Sequence, residues 1–205
     1  VDDYYATIAS QACVPAGFAV NPQVACVLPL LCHQDEETAI ERGLDGAHFF
    51  GYALAHYYVF GTHRPGHTSI WDEFQQNRAR FGFDRQIAAR TGVQLGAQLL
   101  QEGLGSLRGA IGTPAQIREL VRGYQAAGVD QLVFVSQAGR TRHEHIRESL
   151  ELFAAEVMPE FAEQADGLER AKAERLERAI QAALARREPP RQPPPDYAIR
   201  PATQF

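Results

Sequence analysis

At 205 residues the chain is long enough for one domain with a sizeable core, and its apolar (45%) and charged (22%) contents are those of a globular protein. A formal net charge of −5 argues against a general nucleic-acid binder, which neutralises phosphates with clustered Lys and Arg, and the arginines near the C-terminus are interleaved with glutamates. No apolar run is long enough to span a bilayer and no basic segment leads into an apolar one as in a signal peptide, so neither membrane nor nucleic acid is expected as a partner and the expected place is the cytoplasm.

The opening residues, VDDYYATIASQACVPAG, start at Val1 without an initiator Met and read as the end of a helix already under way. Either the N-terminus is processed or a segment precedes it. Cys13, Cys26 and Cys32 make an odd count without a CxxC spacing and read as free thiols of a reducing compartment. Cys26 lies in an apolar run and is expected to be a small core residue.

Residues 23–32, QVACVLPLLC, have the composition of a strand covered on both faces, although Pro29 removes one ladder donor. HQDEETA supplies acidic residues for a helix N-terminus, and the pattern predicts a helix from Glu36 to Tyr58, weakened by Gly43, Gly46 and Gly51. Its second half, AHFFGYALAHYY, is aromatic on nearly every face, so it is buried or lines a cavity. Residues 61–106 combine glycine, polar groups and isolated aromatics with no clear strand. They are expected to form an excursion carrying one or two helices, and a connection of that length is functional or mobile.

Regularity returns with LRGAIGTPAQIRELVRGYQAAGVDQLVFV. Thr113 is a good N-cap, Pro114 suits the first helical position, and Ile117, Leu120, Val121 and Tyr124 form a helical stripe that Gly128 ends. The strand QLVFV follows after a short turn. The next helix, TRHEHIRESLELFAAEVMPEF, places Ile146, Leu150, Phe153 and Val157 on one face. This alternation predicts parallel βα units, in a barrel or a doubly wound sheet, with Ser136 to Arg140 at the C-terminal mouth of a strand. Beyond residue 161 a charged helix with a thin stripe of Leu168, Leu176, Ile180 and Leu184 leads into PPRQPPPDYAIRPATQF, expected to be extended and polyproline-like.

Residues 112–161, GTPAQIRELVRGYQAAGVDQLVFVSQAGRTRHEHIRESLELFAAEVMPEF, resemble the C-terminal signature of the luciferase-like flavin-dependent monooxygenases. The resemblance is carried by the Gly112-Thr113-Pro114 turn, the Gly128-Val129-Asp130 lead-in to a strand and the SLELFAAEVMPEF helix. VACVLPLLCHQDEETA and FFGYALAHYY extend it, so residues 20–161 fit. It implies a (β/α)8 TIM barrel that binds reduced FMN or, in some branches, the deazaflavin F420. On that template residues 24–31 are the sixth strand, 107–111 belong to the seventh, 131–135 are the eighth, and 61–106 lie where members carry a lid. A whole barrel takes eight strands and about 250 residues. The expected fold is therefore α/β, the C-terminal part of a barrel over residues 1–161, followed by a helical and Pro-rich tail over 162–205. Much of the flavin phosphate site would come from an earlier half, and no catalytic residue is assigned.

Four residues after the eighth strand are candidates for cofactor binding. Gly139 permits close backbone approach and Arg140 offers a fork of donors to phosphate or carboxylate; the alternative is a loop glycine beside a solvent-facing arginine. Ser136 and Gln137 are candidates to hydrogen-bond a flavin edge or a substrate. Tyr52 and His56 face a cavity or sit in a core, and Trp71 and Phe74 cover a substrate or anchor their loop. No metal site is expected, since His143 and His145 point to different faces and His48 and His56 lack carboxylate company.

The activity this implies is an oxidoreductase acting on paired donors, with incorporation or reduction of molecular oxygen. Its partners would be a small organic substrate, dioxygen, a flavin reductase and a second copy in a homodimer. The alternatives are a truncated, non-catalytic barrel remnant acting as a binding or assembly module, an F420-dependent oxidoreductase of the same fold, and a cofactor-independent α/β barrel enzyme.

Overall fold

Apolar strands flanked by amphipathic helices must bury both faces of a sheet, and the computed structural model of the chain shows how this sequence does so. It describes residues 1–83, 89, 95–100, 103–189 and 192–198. Parts of the expected 61–106 excursion (84–88, 90–94 and 101–102) and of the Pro-rich tail (190–191 and 199–205) lie outside the described residues. The chain divides into two compact units, residues 23–168 and residues 1–22 with 169–205.

The larger unit runs β1 (Ala25–Cys32), α2 (Glu36–Ala55), a π-turn (His56–Phe60), α3 (Ile70–Asn77), a 3₁₀ turn (Arg78–Phe81), β2 (Gly96–Leu100), β3 (Gly103–Gly112), α4 (Pro114–Ala126), β4 (Gln131–Val135) and α5 (His143–Glu156). The helix α6 (Met158–Ala185) follows. The strands form one sheet in the order β2-β3-β1-β4. β1 pairs parallel with both β3 and β4, while β2 and β3 pair antiparallel with irregular register. The fold is α/β, as the alternation predicted.

Three features differ from the sequence-based expectations. First, residues 96–100 and 103–106 hold strand structure where no strand was expected, because glycine and glutamine interrupt the alternation that marks a strand. Second, β1 lies between β3 and β4, whereas three staves taken in chain order would place residues 107–111 in the middle. The reason lies in the side chains. Leu31 and Ile111 pack under Ala39, Ile40, Leu44 and Ala47 of α2. Leu30, Cys32, Ala110 and Phe134 point the other way and pack with Ile117 of α4, Leu152 and Phe153 of α5, Val157 and Phe161. Crossovers of one hand that step in opposite directions from β1 and β3 place their helices on opposite faces. Third, two stripe residues are outside the core: Leu150 is exposed, and Ser149 is buried in its place so that its hydroxyl accepts the Cys32 N–H at 2.7 Å. Leu168 is also exposed.

Pro29 sits within β1 despite its missing donor. Pairing with β3 begins only at Leu30, and Gly109 of β3 reaches φ +63° opposite Pro29. A side chain there would lie 2.8 Å from the Pro29 carbonyl oxygen, so this close approach requires glycine. Cys26 is half-buried, not a core residue; Cys32 is the buried thiol.

In the smaller unit, α1 (Asp2–Ala9) is followed by irregular chain tied to the C-terminal helix. Arg186 donates to the carbonyls of Ser10 and Cys13, Lys172 donates to that of Pro22, and Arg175 and Arg187 lie over Tyr5 and Phe18. Within the tail, residues 194–197 make a turn closed by the Tyr197 N–H on the Pro194 carbonyl, where continuous extension was expected. No helix among the described residues is long and apolar enough to cross a membrane.

One ion pair ties the central layer together. Arg108, fully buried in β3, donates to Glu36 at 2.6 Å and to the Ile111 carbonyl at 3.0 Å. Glu36→Ala removes the carboxylate 2.6 Å from that buried guanidinium, and the expected cost is about 3 kcal/mol. Urea unfolding of the variant checks this; a loss below about 1 kcal/mol would show that the pair contributes no more than a surface one.

Candidate functional site

The carboxyl ends of β1, β3 and β4 lie on one edge of the sheet, and each is followed by the start of a helix. After β1, the Asp35 carboxylate accepts from the N–H and the hydroxyl of Thr38, both at 2.7 Å, and caps α2. Those two bonds hold its carboxyl below the usual range. After β3, Thr113 and Gln116 form a reciprocal capping box on α4. After β4, α5 begins at Arg142 without a side-chain cap. β1 and β4 are neighbours whose following helices lie on opposite faces, and a crevice at such a reversal is where open α/β sheets bind ligands.

That crevice is almost closed. The turn at residues 138–141, held by the Thr141 hydroxyl on the Ala138 carbonyl at 2.9 Å, presses against α2. A side chain on Gly46 would meet Thr141 Oγ1 at 2.5 Å and the Ala138 oxygen at 2.9 Å. The cavity left between Pro29, Leu31, Gly43, Ser136 and Thr141 measures about 10 Å³, room for about one water.

Outside it lies an aromatic cluster. Tyr52, Phe74 and Phe83 are buried, with Phe49, Trp71 and Phe81 packed around them. Trp71 meets Phe49 at 5.0 Å and Phe74 at 5.5 Å between ring centres. The Arg140 guanidinium also lies 5.0 Å over the indole, and Gly139, at φ +59°, brings its backbone against the ring. The loop after β4 and the aromatic residues of α3 were separate candidates in the sequence; the structure brings them into contact.

Each candidate therefore has a definite place. Ser136 lines the small cavity, and Gln137 and Arg140 are exposed at the rim. Gly139 and Trp71 touch, Phe74 is in the aromatic core, and Tyr52 packs against Phe74. Burial pushes the Tyr52 phenol upward, with the Glu73 carboxylate adding to it. His56 is the outlier. It lies in the π-turn, 1% exposed, with Glu73 Oε2 3.1 Å from Nδ1 but off the line a hydrogen bond needs. Tyr57, Phe60 and His63 surround the imidazole.

Two features were missed in the sequence. Arg78 joins Asp45 at 2.8 Å, lies 3.0 Å from His48 Nδ1 and covers the Phe74 ring. Because Arg only donates, the His48 Nδ1 is an acceptor and the ring proton sits on Nε2. Gly46, counted as a weak point of the helix, is what lets the turn at 138–141 dock. Its only signal was a glycine about three turns into a helix that otherwise packs a core. Among the described residues no three His, Cys, Asp or Glu side chains are grouped to hold a metal.

Comparison of the chain with protein-family models, with curated proteins and with solved structures found no match.

Two measurements check this geometry. Burial, reinforced by the Glu156 carboxylate, pushes the Cys32 thiol up to about 12, so it stays protonated at pH 8. In the folded chain iodoacetamide is expected to label Cys13 and Cys26 but reach Cys32 only in denaturant; equal labelling of all would place that strand end in solvent. Gly139→Ala forces a side chain at positive φ against Trp71 and is expected to cost about 1–2 kcal/mol. It should also shift the emission of Trp71, the chain's single tryptophan.

Proposed function

We propose that the chain is part of a flavin-dependent oxidoreductase of the luciferase-like class, to which it supplies an anion-holding rim at the carboxyl end of β4. The observation that carries this reading is the position of Arg140, exposed at that strand end and lying against Trp71. A fork of donors beside a glycine with left-handed backbone suits the phosphate of FMN. The isoalloxazine does not fit the same place, since the cavity beside Ser136 admits about one water. No step of flavin chemistry is therefore derived from these residues, and the chain by itself is proposed to be inactive.

A partial barrel is the architecture that goes with this reading. It is supported by the parallel pairing of β1 with β3 and β4 and by α4 and α5 on one face of the sheet. The other face leaves Val27 and Val133, cross-strand neighbours, about half exposed. In a barrel that face would be the lumen. The strand order and the position of α2 on that face favour the second reading, a non-catalytic module that closes its own sheet and binds without reacting.

Titration of the purified chain with FMN, F420 and riboflavin separates the two. The flavin reading expects weak FMN binding that is lost with riboflavin, which lacks the phosphate, and is weakened about tenfold or more in Arg140→Gln. Riboflavin binding as well as FMN would remove the phosphate from the argument. No flavin binding by a cooperatively folded chain would leave the non-catalytic module.

A further inference from the structure

We propose that Trp71 is a positioning residue for Arg140, holding its guanidinium over the indole so that the donor fork faces a phosphate or carboxylate at the carboxyl end of β4. This rests on the anion-holding rim proposed above. An exposed arginine normally samples many rotamers, and fixing it costs conformational entropy each time it binds. Here that freedom is restricted beforehand. The indole is held by Phe49 and Phe74, and Phe74 is itself fully buried against Tyr52. The backbone is held as well, since Gly139 abuts the indole and the Thr141 hydroxyl closes the turn on Ala138.

Stacking on an aromatic face uses the flat side of the guanidinium and leaves its N–H edges free. Among the described residues no carboxylate takes those edges: the nearby ion pairs belong to Arg142 with Glu144 and to Arg42 with Glu148. A planar, oriented fork recognises a tetrahedral or carboxylate oxyanion through two parallel bonds. The ligand class is a small molecule bearing a phosphate or carboxylate, and the indole sets the orientation without touching the anion.

The test uses the whole chain with Trp71→Phe, Trp71→Leu and Arg140→Gln, each first shown to melt cooperatively. FMN and inorganic phosphate are the probes, at constant ionic strength. Phenylalanine keeps a ring face, so Trp71→Phe is expected to retain affinity for both within about twofold, while Trp71→Leu loses about two- to fivefold. A separate arm needs no ligand: Arg140→Gln uncovers the indole, and acrylamide should quench Trp71 more efficiently than in the unsubstituted chain. Equal affinity of Trp71→Leu and the unsubstituted chain, or unchanged quenching in Arg140→Gln, overturns the proposal, as does a chain that binds neither probe. Phosphate binding with the Phe–Leu contrast intact, but no FMN binding, keeps the positioning role and removes the flavin.

Discussion

The structure depends on the burial of one strand from both sides. β1 sends Leu31 to one face and Leu30 and Cys32 to the other, all nearly inaccessible, and α2, α4 and α5 pack against these faces. Fully burying an aliphatic side chain is worth about 1.5–3 kcal/mol, so these few positions outweigh any surface contact of the unit. The burial is graded along the strand. Ala25 and Val27 are exposed, and the covered part begins at Leu28. The sheet is therefore tightest at its carboxyl edge, where the candidate residues lie.

Tight packing at that edge needs its polar groups satisfied, since an unpaired buried group costs about 1–3 kcal/mol. Ser149 provides for the Cys32 N–H, and Glu36 and the Ile111 carbonyl provide for Arg108. Both devices connect a strand to a helix in the layer beside it. A leucine at 149 would bury more apolar area and leave the Cys32 amide orphaned, which explains why the apolar stripe of α5 is broken at its most buried turn.

Much of the fold was legible because its signals are local. The Thr113 cap, Pro114, the stripe from Ile117 and the run QLVFV each depend on neighbours a few residues away, and all appear at their predicted places. The strand order was not legible. It depends on which face each helix covers, and α2 carries apolar residues broadly enough to pack on either. The strand residues 96–100 and 103–106 were hidden for a different reason, since glycine has no side chain with which to mark alternation. The candidate site was legible as two lists, Ser136–Arg140 and the aromatic residues around Trp71. Their contact was not, because it joins positions far apart in the chain through a glycine.

That contact also explains why a helix core tolerates Gly46. Glycine within a helix costs up to about 1 kcal/mol relative to alanine. A methyl group at 46 would collide with Thr141 and with the Ala138 carbonyl, pushing the turn at 138–141 off α2. Gly139 would then lose its seat on Trp71, and Arg140 its stacking surface. Two glycines, one in a helix and one in a loop, thus bring three elements within reach of one another. The helix gives up some intrinsic stability at Gly46, and the turn gains a defined position beside the aromatic cluster. A position set by backbone contact on both sides suits a loop whose polar residues face solvent, because among the described residues Gln137 and Arg140 carry no hydrogen bond or ion pair that a ligand would have to displace.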